Sequence, residues 1–277
     1  MATWSSPPHP DHLTCPTSGN RHITVMSGDA DVLKDRIDDM WAAGNTSIDI
    51  GVKWGLALLD PSTRPIITDM IASGKVPESF AGRPVDHDET QVLKALVVMS
   101  DGENTSQFML DDDYRSGDSP LFRDKNNGRE SYFFDRSNTN NDYYYYRNDQ
   151  WRSTPYRNWD RAERLSWPEV WASRSLANFA YYSKSAAIGG NWYAYYLDAY
   201  DAVSPSTKNT RTSQICHQAK DAGITVYTIG METYGQGDIT LADCASGSAF
   251  FFDVQAVEIS EAFSAIARDI NRLRLTQ

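Results

Sequence analysis

The chain has 277 residues, a formal net charge of −11 at pH 7 and three cysteines. This length fits one large or two small globular domains, and the acidic balance argues against binding to a nucleic-acid backbone. The sequence has no phosphate-binding Gly-rich loop with Lys-Ser or Lys-Thr and no Gly-x-Ser-x-Gly elbow, so no motif supports an enzyme.

Residues 1–22 are predicted to form a loose terminus. The segment is polar, its prolines break any helix, and we expect neither a signal peptide nor a membrane-spanning helix in it. A zinc site at His9, His12 and Cys15 has near-ligand spacing but no evident fourth ligand, so the loose terminus is the favoured interpretation.

A helix is predicted to begin after the turn at Gly44. Apolar residues then recur at near-helical spacing, at Val52, Leu56 and Leu59. The residue near the cap of this helix is expected to be Asn45, Thr46 or Ser47.

The apolar run from Leu96 to Met99 stops abruptly on Ser100, Asp101 and Gly102. Such a run predicts a strand covered on both faces, with the Asp101 carboxylate at its carboxyl end. Ligands bind at that edge of open α/β sheets. Taken singly, Thr46 is also explained as a helix cap and Asp101 as a turn residue.

Residues 105–211 form a predicted insertion rich in Tyr and Trp, including the run from Tyr143 to Tyr146. Two interpretations stay open. The aromatic residues form a recognition surface for protein or sugar, with Tyr144, Tyr145 and Trp151 as partner-binding candidates, or they form the core of a local subdomain. Ser166-Trp167-Pro168 is typical of a helix entry, and an inward stripe is predicted at Trp171, Leu176, Phe179 and Ala180.

Asp111, Asp112 and Asp113 are a weaker candidate, for calcium. No glycine and glutamate of an EF-hand loop follow them, so a solvated acidic turn is favoured.

The last third predicts helix, strand, short helix, short strand and long helix. The long helix has one apolar face at Phe263, Ile266, Ile270 and Leu273. Strands that alternate with helices indicate an α/β fold with a doubly wound, mostly parallel, Rossmann-like sheet. By their positions alone, Cys216 and Cys244 are equally explained as a disulfide or as two reduced core thiols.

Together these segments resemble the von Willebrand factor A (VWA) family, in which three loops form a metal-ion-dependent adhesion site. Thr46 matches the second loop and Asp101 the third, whereas no Asp-x-Ser-x-Ser of the first loop occurs before Gly44. Within the family, the tail is most similar to the carboxyl-terminal domain of TadG-type proteins of Tad/Flp pilus assembly. The resemblance covers residues 23–104 and 212–277.

The resemblance implies a VWA-like domain that lacks its amino-terminal part, and a partial metal site at Thr46 and Asp101 that binds Mg²⁺ or Mn²⁺ weakly. It also implies a disulfide between Cys216 and Cys244, and hence an oxidising compartment. Without its missing neighbour, the strand at Leu96 would keep one edge unpaired. We therefore expect a marginal or self-associating chain, or rescue by a strand such as Ile23–Met26.

The function that the resemblance implies is non-catalytic protein recognition in pilus assembly or adherence, with partners in a pilus or surface assembly and no nucleic acid. The location would be the periplasm or cell envelope, with membrane contact only through an amino-terminal anchor that this sequence lacks. One alternative is an intracellular VWA adaptor for an ATPase, which needs reduced cysteines. Another is a carbohydrate-binding protein that uses the aromatic insertion.

Overall fold

A computed structural model describes residues 22–40, 45–137, 139–156 and 158–275. The strands are β1 Ala95–Ser100, β2 Gln107–Leu110, β3 Asp118–Asp124, β4 Glu130–Phe133, β5 Tyr143–Tyr145, β6 Gln150–Arg152, β7 Ala162–Ser166, β8 Tyr200–Val203, β9 Thr225–Met231 and β10 Phe251–Val254. The α-helices are α1 Ala30–Asp38, α2 Ile48–Ala57, α3 Arg64–Ala72, α4 Asp112–Arg115, α5 Trp167–Ser173, α6 Leu176–Asn178, α7 Ala186–Ile188, α8 Trp192–Leu197, α9 Pro205–Asp221, α10 Gln236–Cys244 and α11 Ile259–Leu275. A π-helix spans Phe179–Ser185, and single 3₁₀ turns lie at Pro61–Thr63, Glu78–Phe80, Ser248–Phe250 and Ala256–Glu258.

The described residues divide into two compact units. The first, which we call the parallel-sheet unit, comprises residues 22–107 and 203–275. The second, which we call the aromatic unit, comprises residues 108–202.

The parallel-sheet unit is built on three parallel strands in the order β1-β9-β10. On one face, α2, α9 and α10 contribute to a core with the buried residues of β1 and β9. A Cβ on Gly55 would lie 2.6 Å from Leu96 Cδ1, so glycine lets α2 approach β1 closely. On the other face α11 packs against β9 and β10. The chain is thus α/β with a parallel sheet between helices, as the alternation of strands and helices predicts.

Strand β1 is the terminal strand of this sheet among the described residues. Ile23–Met26 forms no strand, so its predicted role as a rescuing neighbour of β1 is wrong. Val97 and Met99 are exposed because α11 packs mainly on β9 and β10, so the prediction that the strand at Leu96 is covered on both faces is wrong. Marginal stability and self-association remain predictions.

The apolar face of α11 differs in detail from the expectation. Ala262 and Ile266 are buried and Ile270 packs beside them, but Phe263 is 44% exposed. The inward stripe therefore follows Ala262, Ile266 and Ile270, which are four residues apart, and Phe263 lies beside it.

The aromatic unit contains a five-stranded antiparallel sheet in the order β6-β5-β4-β3-β7. One face of this sheet packs on α5 and the π-helix, with Leu121, Tyr132, Tyr144, Trp167 and Phe179 in the shared core. Ser166 caps α5 and forms a capping box with Glu169, as the predicted helix entry requires. Part of the aromatic content of this unit is therefore its core, whereas other rings are exposed, namely Phe108, Phe134, Trp159, Tyr181, Tyr182 and Tyr193.

Candidate functional site

The Thr46 loop and the turn after β1 lie side by side in the parallel-sheet unit. The Thr105 N–H donates to the Thr46 carbonyl oxygen at 3.1 Å. A Cβ on Gly102 would lie 3.7 Å from Thr46 Oγ1. Thr46 is half-buried and Asp101 is exposed. Both candidate site residues therefore belong to loops that meet at the carboxyl end of β1.

Asn104 joins this turn to the start of α2. Ser47 occupies the N-cap position, as expected, but its hydroxyl makes no capping bond. The Ile48 N–H donates instead to Asn104 Oδ1 at 2.8 Å, and Asn104 Nδ2 donates to Asn209 Oδ1 at 2.8 Å. One buried amide thus satisfies a free N–H of α2 and connects α2 to α9.

Lys208 on α9 is the central cation of the site. Its side chain is completely buried, and its Nζ donates to Thr46 O at 2.8 Å, Ser47 Oγ at 2.6 Å and Thr105 O at 2.8 Å. Burial lowers the pKa of Lys208, and the carboxylate of Asp49 opposes that shift. The three donor hydrogens of one ammonium group therefore fasten both loops to α9.

Asp49 balances this charge from the first turn of α2. Its Oδ1 lies 3.9 Å from Lys208 Nζ and makes no hydrogen bond among the described residues. A buried carboxylate oxygen without a hydrogen bond is unusual and stays in place only when nearby charge stabilises it. Asp49 and Lys208 therefore form a buried ion pair in which Asp49 Oδ1 has the lysine charge nearby but no hydrogen bond.

The loop after β9 completes the same edge. Glu103 Oε1 accepts the N–H of Gln236, the first residue of α10, at 3.0 Å. Gly235 has a φ of 59°, and a Cβ there would lie 3.2 Å from Glu103 Oε1, so glycine suits this close approach. Tyr234 in this loop is 72% exposed. Three loops, each ordered by side-chain or backbone bonds, thus form the edge of the sheet.

Thr46 and Asp101 do not supply the coordination that Mg²⁺ prefers, which is six oxygen ligands in near-octahedral geometry. No three His, Cys, Asp or Glu side chains in the described part of the chain group together as a metal site. The carbonyl of Thr46 already receives the Lys208 ammonium group. The residues present therefore do not fit a complete metal site, and the roles described for Lys208, Asn104 and Glu103 do not require a metal ion.

Cys216 of α9 and Cys244 at the end of α10 form a disulfide, and both are fully buried. The two half-cystines are 28 residues apart. In the chain-entropy model, closing such a loop contributes roughly 3–4 kcal/mol. The bridge therefore fixes α10, and with it the loop at Tyr234, against α9.

The three partner-binding candidates of the aromatic unit lie on different faces of its sheet. Tyr144 is 9% exposed, packs in the core beside Trp151 and donates its hydroxyl to Asp149 at 2.7 Å. Trp151 is half-buried under the guanidinium of Arg136. Tyr145 points to the opposite face, where it packs on Tyr156. Tyr145 lines a cleft on that face.

The calcium candidate is an acidic turn in the aromatic unit. Asp112 pairs with Arg115 at 2.8 Å in the first turn of α4, as a solvated acidic turn would. His9, His12 and Cys15 lie outside the described residues.

Sequence reasoning missed Lys208, Asn104 and Glu103. For Lys208 the sequence of α9 could have indicated burial, because Lys208, Thr212 and Cys216 recur every four residues on the buried side of the helix. A lysine that extends a buried stripe must find acceptors, and this one finds them in the Thr46 loop. Asn104 and Glu103 give no such periodic signal, since their partners are far away in the sequence.

No protein-family model, curated protein or solved structure matches this chain. Among the described helices, none combines the length and apolar character needed to cross a bilayer.

Proposed function

We propose that this protein is a non-catalytic recognition component of a Tad/Flp-type pilus assembly or adherence system, and that it is VWA-like. It binds a protein partner through the carboxyl edge of its parallel sheet. The observation that carries the proposal is the meeting of the Thr46 loop and the Asp101-Gly102 turn at that edge, where Lys208 holds both.

The edge has the properties of a preformed binding surface. Its loops are fastened by buried bonds, so little conformational entropy is lost when a partner binds. Asp101, Glu103 and Tyr234 are exposed on it. Tyrosine is enriched among residues that dominate binding energy, and two carboxylates favour a partner with a basic group.

The disulfide supports an extracytoplasmic location. Disulfides persist in oxidising compartments and are rare in the cytosol. Counting the thiols of protein isolated from its native cell separates this proposal from an intracellular ATPase adaptor. Denatured but unreduced protein should react at Cys15 alone; three reactive thiols would favour the adaptor.

The direct test is genetic. In a source strain that lacks the protein, wild type should restore surface adherence and pili, whereas Asp101→Ala combined with Tyr234→Ala should restore neither. Asp69→Ala, which removes an exposed carboxylate of α3, is the matched control and should complement fully. Full complementation by the double variant at equal protein level would reject recognition at this edge.

A further inference from the structure

A cleft lies on the aromatic unit, on the face of its sheet opposite the core. Tyr145, Arg147, Asn148, Arg152 and Tyr156 line it, and its volume is about 360 Å³. Volumes of this size lie at the small end of the range for ligand pockets. The cleft therefore suits a single compact group rather than a long stretch of polymer.

The arginines of this cleft are not neutralised. Neither Arg147 nor Arg152 forms an ion pair with a carboxylate among the described residues. Within the described part of the chain, Arg152 donates to the amide oxygen of Gln150 and to no carboxylate. By contrast, Arg123 and Arg174 of the same unit share the carboxylate of Glu130. In an acidic chain, two adjacent uncompensated guanidinium groups mark a place where an anion can bind.

A third arginine contacts one of the tyrosines that line the cleft. The guanidinium of Arg129 lies 5.6 Å from the ring centroid of Tyr156 and donates to its hydroxyl. No carboxylate of the described residues pairs with Arg129 either. Its positive charge therefore adds to the field at the cleft without occupying it.

The wall of the cleft is rigid and aromatic. The Tyr145 hydroxyl donates to the carbonyl oxygens of Thr154 and Pro155 at 3.0 and 2.9 Å. The Tyr156 N–H donates to Ser131 Oγ at 3.1 Å, and the two tyrosine rings lie 5.1 Å apart. The hydroxyl bonds of Tyr145 fix its ring and the Ser131 bond fixes the Tyr156 backbone, so this wall needs little ordering when a ligand binds.

We propose that this cleft binds an acidic sugar, a pyranose ring that carries a carboxylate. A guanidinium fork matches the geometry of a carboxylate and pairs with it through two parallel hydrogen bonds. Tyrosine rings offer apolar faces to the C–H side of a sugar, and the exposed Asn148 amide can bond its hydroxyls. The cleft belongs to the aromatic unit alone, so the inference does not depend on the proposed function.

The test is calorimetric titration of the full chain with trigalacturonate, and with its methyl ester as the uncharged counterpart. Binding should be measurable for the acid, at least tenfold weaker for the ester, and weaker as salt rises. Arg147→Gln and Arg152→Gln should each weaken binding about tenfold. Arg268→Gln, an exposed change of the same charge on α11, is the control and should bind as wild type.

Two outcomes would overturn the assignment. A phosphoserine peptide or inorganic phosphate that binds as tightly as trigalacturonate would show a general anion site without sugar selectivity. Binding that persists unchanged in the Arg147→Gln, Arg152→Gln double variant, or no binding by well-folded wild type, would show that the cleft is not the site. Far-UV circular dichroism of each variant confirms that it is folded.

Discussion

The two units of this protein hold their chain in place by different means. In the parallel-sheet unit, Lys208 and Asn104 fasten loops through short directional bonds, and a disulfide links two helices. In the aromatic unit, stacked and edge-on rings fill the core, as between Trp167 and Trp171 at 5.1 Å. Directional polar bonds fix the position of a loop, whereas ring packing stabilises a sheet without specifying where its loops go.

This difference makes the two units vulnerable to different substitutions. Loss of a ring should lower the stability of the aromatic unit and leave the loops at β1 intact. Loss of a buried polar group should release those loops while the aromatic unit keeps its fold.

The largest effect is expected from Phe179→Ala in the aromatic unit. Phe179 is 2% exposed and contacts Trp167 and Trp171 edge-on. Removing its ring should lower the free energy of unfolding of this unit by about 4 kcal/mol. Urea unfolding followed by tryptophan fluorescence measures it, because five of the chain's eight tryptophans lie in this unit. Phe134→Ala, at a 45% exposed ring, is the control, and an equal loss there would contradict the core assignment.

The next effect is expected from Lys208→Met in the parallel-sheet unit. The substitution keeps the apolar stem but leaves three oxygens without this donor and Asp49 without its cation. We expect a loss of about 3 kcal/mol, together with faster amide exchange in the Thr46 loop. Lys53→Met, at an exposed position on α2, should change little. A loss below about 1 kcal/mol would mean that Lys208 does not hold the loops.

A smaller effect is expected from pH. Burial, helped by the bond to Asp149, raises the pKa of Tyr144 to about 12 from its ordinary value of 10.0. A folded-state pKa above the unfolded one gives stability that is complete below pH 10 and is lost as pH rises towards 12. By pH 11 this group should have lost roughly 1.4 kcal/mol. The Tyr144→Phe variant has no hydroxyl to ionise and should not show this loss. Chemical denaturation at pH 9 and at pH 11 should therefore show a smaller difference in the free energy of unfolding between wild type and variant at pH 11 than at pH 9.

The smallest effect is expected from added metal. Millimolar Mg²⁺ or Mn²⁺ should stabilise the parallel-sheet unit by at most about 0.4 kcal/mol, the value when the dissociation constant equals the ligand concentration. A thermal shift assay with and without chelator measures this. A clear rise in Tm that Asp101→Ala abolishes would show that Thr46 and Asp101 recruit further ligands.

The sequence predicts those parts of the fold that depend on local periodicity. The strand at Leu96, the strand that follows Gly223 and the helix entry at Ser166 all appear where apolar spacing and caps place them. The boundaries of α9 and α10 were harder to predict, because α9 begins at Pro205 with a polar first half. Lys208 in that half is buried because it binds the Thr46 loop, and no local sequence pattern predicts that contact.

The candidate site shows the same division. A carboxylate after an apolar strand predicted the position of Asp101, since the strand itself sets where the turn falls. The roles of Asn104 and Lys208 depend on contacts across 56 and more than 100 positions, so composition and spacing could not assign them. In the aromatic run, alternation along β5 sends Tyr144 and Tyr145 to opposite faces, but four identical residues give no signal of which face is the core.

Lys208 also offers a chemical reporter of motion. An acylating reagent modifies an uncharged, solvent-accessible amine, and the Nζ of Lys208 is accessible only when the Thr46 loop detaches from α9. The ratio of its labelling rate to that of Lys53 would therefore follow the opening equilibrium of this edge in the intact protein. A partner that clamps the edge would slow the labelling of one lysine and spare the other.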